Sequence, residues 1–240
     1  MSKLNLKPED RIILALDFHE LNEAKDWIER LKGKVKTFKV GPILFLNCGP
    51  NDIKNFIDNG AEIFLDLKFH DIPSTVEKSS KQVVQYGIKM FTIHALGGFV
   101  MMRKTVEAVN EESQEFSKPK PLILAVTVLT SQDEESLKQI GIKGPFRDAV
   151  LRLAAIADKA RVDGLVASGK EVEILRKEFE DRFVLVVPGI RTGTSVDNHS
   201  RAVTPAEAIS FGADYIVIGR AVTEAKKPEA VLKEIIFSIK

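Results

Sequence analysis

The chain has 240 residues, 44% hydrophobic and 29% charged, which is enough to bury the core of one large α/β domain, so a single domain over residues 1–240 is expected. Its 35 Lys and Arg nearly balance 34 Asp and Glu, which excludes the global basic field of a nucleic-acid or acidic-membrane binder and leaves charge recognition to local sites. The single cysteine, Cys48, excludes an intrachain disulfide framework and a Cys-rich zinc site. A free thiol suits a reducing compartment, the polar start "MSKLNLKPEDR" has no apolar signal core, and no run of about 18 apolar residues offers a membrane span. The expected location is the cytoplasm.

Along the chain one unit recurs: a short β-branched apolar run, a few polar or glycine residues, then a segment of helical period. The first strand candidate, "RIILALDF", leads into "ELNEAKDWIERLKG", where Leu21, Ala24, Trp27, Ile28 and Leu31 form an apolar stripe and Gly33 offers a stop. The strands "TFKVG" and "EIFLDLKF" follow, then the helix "TVEKSSKQVVQYG", then "MFTIHALGG" and "PLILAVTVLT". After the helix "FRDAVLRLAAIADKA" come the strand "GLVAS", the helix "EVEILRKEF" and the strand "FVLVVPGI". Thr204 before "PAEAISFG" reads as an N-cap with proline at the first helical position, and "YIVIGRA" and the helix "PEAVLKEIIFSI" close the chain. Met90, Met101, Met102 and the scattered phenylalanines read as core, and Cys48 as a small buried residue.

Strand–helix alternation favours a parallel sheet with right-handed crossovers, and eight units in this length match a closed (β/α)8 TIM barrel. A doubly wound open sheet is the alternative; it usually has fewer strands at this length, and no G-x-G-x-x-G follows the first strand. Gly169-Lys170 lacks the upstream glycine of a P-loop and reads as a helix start. The polar stretch "RTGTSVDNHSR", 191–201, has little to bury and is the candidate for a loop at the site.

In such a barrel the reactive face lies at the carboxyl ends of the strands, and here the apolar runs end in Asp17, Lys39, Asp66 with Lys68, His94, Thr127 with Thr130, Arg191 and Arg220. Alternation along a strand puts Asp66 and Lys68 on one side, two residues apart, whereas Asp71 lies beyond the strand in the turn "HDIP". A buried ion pair is a poor reason in itself to keep two charges, since apolar packing often replaces one at no cost. The cluster therefore reads as functional. His70 sits in position to anchor the Asp71 turn, His94 to line the mouth or satisfy the core, and His19 to lie on the surface; no histidine pair has the spacing of a helical zinc motif.

"DLKFHDIPSTV", with "ALD" at 15–17, "FKVG" at 38–41, "AVTVLTS" at 125–131, "VPGIR" at 187–191 and "IGRAV" at 218–222, resembles the orotidine 5′-phosphate decarboxylase family, in order from about residue 11 to 224. The resemblance implies a homodimeric barrel that converts orotidine 5′-monophosphate to uridine 5′-monophosphate and carbon dioxide, the last step of de novo pyrimidine synthesis, with neither metal nor organic cofactor. It implies a charged array of Lys39, Asp66, Lys68 and Asp71 at the scissile bond, with Lys68 the proton donor. Asp71, Ile72 and Thr75 would come from the partner subunit. Asp17 and Lys39 would hold the ribose, Thr130 the pyrimidine edge, and Arg220 beside Gly219 the phosphate, with Arg191 and the 191–201 loop closing over it. Where many members carry glutamine in that loop, this chain has His199 after Asn198, a replacement able to make the phosphate contact pH-sensitive.

The chemistry is consistent with these roles. Loss of carbon dioxide from a ring carbon leaves an electron pair with no conjugated sink, and a fixed ammonium beside that carbon both stabilises and protonates it. Repulsion between Asp66 and the substrate carboxylate ranks below that stabilisation. Asp17, Asp66 and Asp71 against Lys39, Lys68, Arg191 and Arg220 leave one net positive charge, favouring an anion, and the arginine fork suits phosphate. Two alternatives fit the same residues: a metal-dependent sugar-phosphate decarboxylase or epimerase on a related barrel, whose carboxylates would hold magnesium, and a silent barrel that only binds a phosphorylated ligand.

Overall fold

The computed structural model describes residues 6–191 and 203–240. Its apolar runs form eight strands: β1 (Ile12–Ala15), β2 (Thr37–Val40), β3 (Glu62–Phe69), β4 (Met90–His94), β5 (Leu122–Val126), β6 (Gly164–Val166), β7 (Val184–Val187) and β8 (Tyr215–Ile218). Each pairs in parallel with the next, and β8 pairs with β1 through Ile13 and Val217, so the sheet closes into a barrel. Closure rules out the doubly wound alternative, which leaves two open edges.

Eleven helices are described: α1 (Leu21–Leu31), α2 (Pro42–Asn47), α3 (Pro50–Asp58), α4 (Pro73–Gln85), α5 (Gly98–Glu115), α6 (Glu134–Gln139), α7 (Phe146–Ala160), α8 (Val172–Phe179), α9 (Pro205–Ser210), α10 (Arg220–Thr223) and α11 (Pro228–Ser238). The stripe of α1 buries Ala24, Trp27, Ile28 and Leu31 as its spacing predicts. At α9 the Thr204 hydroxyl accepts from the Glu207 N–H at 3.2 Å, and the Glu207 carboxylate accepts from the Thr204 N–H at 2.8 Å, a full capping box. Gly169 and Lys170 do open a helix, a short 3-10 turn leading into α8.

Alternate residues of each strand divide the core in two. Ile13, Ala15, Phe64, Met90, Leu124, Val126, Val186 and Val217 pack inside the barrel, while Ile12, Leu14, Phe38, Ile63, Leu65, Phe91 and Ile123 face the helices. The amino-terminal end of the barrel is closed by polar groups: Glu62 accepts from Thr37 Oγ1 at 3.0 Å and pairs with Lys89, whose Nζ lies 5.7 Å from the centre of the Tyr215 ring. Three expectations need correction. Cys48 is half-buried, and Phe99, Phe116 and Phe237 are exposed, because each lies on the outer face or at the end of a helix. The longest helix, α5, is absent from the elements read in the sequence.

Candidate active site

The third strand departs from regular pairing where the charges begin. Leu65 of β3 stands opposite Phe91 of β4, but the next partner of Ile93 is Phe69, so Asp66, Leu67 and Lys68 together oppose one residue, Thr92. Such a bulge bends the strand and re-aims its side chains. Lys68 takes a left-handed backbone conformation, φ 48°, which costs a non-glycine residue about 1 kcal/mol or more. The outcome is that Lys68 Nζ donates to Asp66 Oδ1 at 2.9 Å.

Beside this pair, Lys39 on β2 lies 4.0 Å from Asp66 Oδ2 and donates to Asp17 Oδ1, beyond β1, at 2.7 Å. The four groups form a chain of alternating charge across neighbouring strands. Their side-chain exposure runs from 12% at Lys39 and 15% at Asp66 to 35% at Lys68 and 50% at Asp17, so the ammonium of Lys68 and the carboxylate of Asp17 are those a ligand reaches. Gly41 makes room for them: a Cβ there would stand 3.1 Å from Lys39 Nζ and 3.2 Å from Asp17 Oδ1.

Two adjoining cavities open at this end. The inner one, of about 140 Å³, places Lys39, Asp66, Lys68 and Thr130 against apolar walls that include Phe64, Val126 and Val217. The outer one, of about 480 Å³, carries Asp17, Lys39, Arg191, Gly219, Arg220 and Glu224. Lys39, Pro188 and Val217 line both, so they make one cleft with an apolar end and a cationic end. Four cationic side chains face three carboxylates there. The third carboxylate is Glu224, one turn along from Arg220, which nothing in its local sequence marks as a site residue.

The structure thus brings together Asp17, Lys39, Asp66, Lys68, Thr130, Arg191, Gly219 and Arg220. Asp71, Ile72 and Thr75 are exposed and line neither cavity of their own chain; the Asp71 carboxylate accepts from the Ile72 N–H at 2.6 Å. His199 and the rest of 192–202 lie outside the described residues, while the flanking Arg191 N–H donates to the Val203 carbonyl at 3.0 Å. His70, expected to anchor the turn, instead stacks its ring on His94, centroids 5.3 Å apart. His94 is half-buried, its Nδ1 accepts from the Leu96 N–H at 3.2 Å, and burial, reinforced by His70 and Lys68, pushes its pKa down to about 4. Thr92, unmarked in the sequence because it looks like any strand threonine, proves to touch both Asp66 and Lys68.

Fold and site define a (β/α)8-barrel protein with a half-apolar, half-cationic cleft, suited to a small anionic molecule, at the carboxyl ends of its strands. The chain belongs to the orotidine 5′-phosphate decarboxylase / HUMPS family, whose model matches residues 10–235. It is 45% identical over 230 residues to an orotidine 5′-phosphate decarboxylase of Geotalea uraniireducens (strain Rf4), covering 94% of this chain and 95% of that one. To the protein of the same name from Geobacter sulfurreducens (strain ATCC 51573 / DSM 12127 / PCA) it is 44% identical over 231 residues, 96% of each chain. The crystal structure of orotidine 5′-phosphate decarboxylase from Lactobacillus acidophilus superposes with a TM-score of 0.85 at 34% identity, covering 96% of this chain and 99% of that one.

Proposed function

We propose that this chain decarboxylates orotidine 5′-monophosphate to uridine 5′-monophosphate and carbon dioxide, a reaction of pyrimidine biosynthesis. The observation that carries the reading is the Lys68 ammonium, fixed at 2.9 Å from Asp66 where the cationic cleft meets its apolar floor. Arg191 and Arg220 take the phosphate at the wide end, the Asp17–Lys39 pair the ribose hydroxyls, and Thr130 the pyrimidine edge. The ring then points its carboxylate at the Asp66–Lys68 pair. As the carbon–carbon bond breaks, its electron pair stays on the ring carbon and the carboxylate leaves as carbon dioxide. Lys68 stabilises that pair and supplies its proton, and the low-polarity floor strengthens the attraction by excluding water.

The reading includes a homodimer. Asp71, Ile72 and Thr75 sit on the chain's own surface, and exposed Ile72, Leu96, Phe99 and Val100 follow the adjacent strands β3 and β4, an apolar patch suited to a second copy. In the proposed dimer Asp71 of one copy completes the charged array around Lys68 of the other. Among the described residues no helix is long and apolar enough to cross a membrane.

The metal-dependent alternative asks carboxylates to hold the ion. Asp66, the carboxylate in the inner cavity, is instead bonded to Lys68 and Thr92, and among the described residues no group of three or more His, Cys, Asp or Glu is assembled for a metal. The test is the ultraviolet absorbance change on adding chelator-treated protein to orotidine 5′-monophosphate, with product identified by chromatography. Turnover by the parent is expected, and loss of at least about 100- to 10,000-fold in Lys68→Ala. Folded parent protein without turnover would sink the reading, and activity restored by magnesium on a sugar phosphate would support the alternative.

A further inference from the structure

We infer that Thr92 is a positioning residue for the Asp66–Lys68 pair, its hydroxyl acting as the pin that holds the β3 bulge and sets where the ammonium points. Thr92 lies on β4, fully buried, opposite the three bulged residues of β3. Its Oγ1 accepts from the Lys68 backbone N–H at 2.8 Å and donates its one proton to Asp66 Oδ1 at 3.0 Å. The oxygen it reaches is the one that accepts from Lys68 Nζ at 2.9 Å. Backbone and side chain of Lys68 are therefore tied to the same carboxylate, one through Thr92 and the other directly.

The physical need for such a pin follows from the bulge. Three residues facing one cannot all enter the ladder, so the Lys68 N–H loses its backbone carbonyl partner at a site shielded from water. Lys68 also holds a left-handed backbone angle that a lysine does not favour, and a strained conformation persists only when its surroundings over-determine it. A β-branched hydroxyl residue on the facing strand meets both demands: the stiff χ1 of threonine aims the oxygen, and the oxygen accepts from one group while donating to the other. Valine has the same shape and neither capacity.

The inference rests on the proposed decarboxylation for its kinetic readout, and on the Lys68 amide for a readout independent of it. Thr92→Val and Thr92→Ser are compared with the parent by amide hydrogen exchange and by steady-state kinetics on orotidine 5′-monophosphate. Thr92→Val is expected to speed exchange at the Lys68 amide at least about tenfold while the Phe91 and Ile93 amides keep their protection, and to lower kcat about 10- to 100-fold with KM within about threefold. The split is expected because the ammonium's position matters most after the carbon–carbon bond begins to break. Thr92→Ser is expected to return both quantities to within about threefold of the parent, since it restores the oxygen without the methyl group. Unchanged Lys68 exchange in Thr92→Val, a kcat equal to the parent's, or a serine variant as slow as the valine one would each overturn the inference. Should Thr92→Val not fold, Thr92→Ala against Thr92→Ser decides by the same criteria. A parent without turnover would overturn the reaction and the kinetic half of the inference, and the exchange data would then decide the pin by themselves.

Discussion

His94 shows how one side chain registers the site's construction. It ends β4, stacks on His70 and accepts from the Leu96 N–H, and burial above all, with His70 and Lys68 beside it, keeps it neutral, with a pKa of about 4 against 6.5 for a free imidazole. As pH falls, the unfolded chain takes up this proton first. The native state's advantage is therefore complete above pH 6.5 and is lost progressively on the way down to 4. Because the ring is only partly shielded, the loss should amount to about 1 kcal/mol, not the full linkage value. Urea unfolding of the parent at pH 7 and pH 4.5 should show this loss beyond that of His94→Asn, whose amide oxygen keeps the Leu96 contact without titrating. Identical pH profiles for the two proteins would remove His94 from the account. At this scale the sequence was informative wherever a charge ended an apolar run, as at Asp17, Lys39 and Asp66. Thr92, Glu224 and the His70–His94 stack were not legible, because each takes its role from a neighbour on another strand or turn.

Among the strands, β6 packs tightly against its neighbours. A Cβ added at Gly164 would come within 2.3 Å of the Val184 carbonyl and 2.7 Å of Leu124 Cδ2, and the carbonyl belongs to the neighbouring strand's backbone. Gly164→Ala is therefore expected to destabilise the barrel by about 1–3 kcal/mol or more, read as a lower urea midpoint at unchanged slope. A midpoint equal to the parent's would mean that β6 and β7 separate without cost. Strands were legible as apolar runs and α1 as a stripe, but α5 was not. It buries Thr105, Glu112 and Ser113 along with Met101, Met102, Val106 and Val109, and it packs against both α4 and α7, so its buried surface is too wide and too polar for a one-sided pattern. Likewise, parity correctly put Lys68 beside Asp66 but assumed a regular strand. The contact is made through a bulge and a left-handed backbone angle that no alternation of apolar and polar residues encodes.

For the molecule as a whole, the proposed dimer predicts complementation. Lys68→Ala and Asp71→Ala subunits, each inactive alone, should recover about one quarter of parent activity after equal mixing and exchange, because half the dimers are mixed and each then holds one intact site. No recovery after verified exchange would show that the site is completed within one chain. The eightfold alternation of strand and helix made the barrel legible, since each parallel strand needs a crossover to the next, and seven crossovers of one hand bring the eighth strand round to the first.

The sequence by itself determined the barrel, the end of it at which the charges gather, and the family, because these rest on period, order and a contiguous motif. Tertiary structure alone decided how the charges meet: Lys39 with Asp17 across β2 and β1, the bulge through which Lys68 reaches Asp66, and the joining of both pairs with the arginines in one cleft. The reason is distance. Partners in these pairs come from separate strands or from a strand that breaks its own period, and only closure of the sheet fixes how far apart they stand.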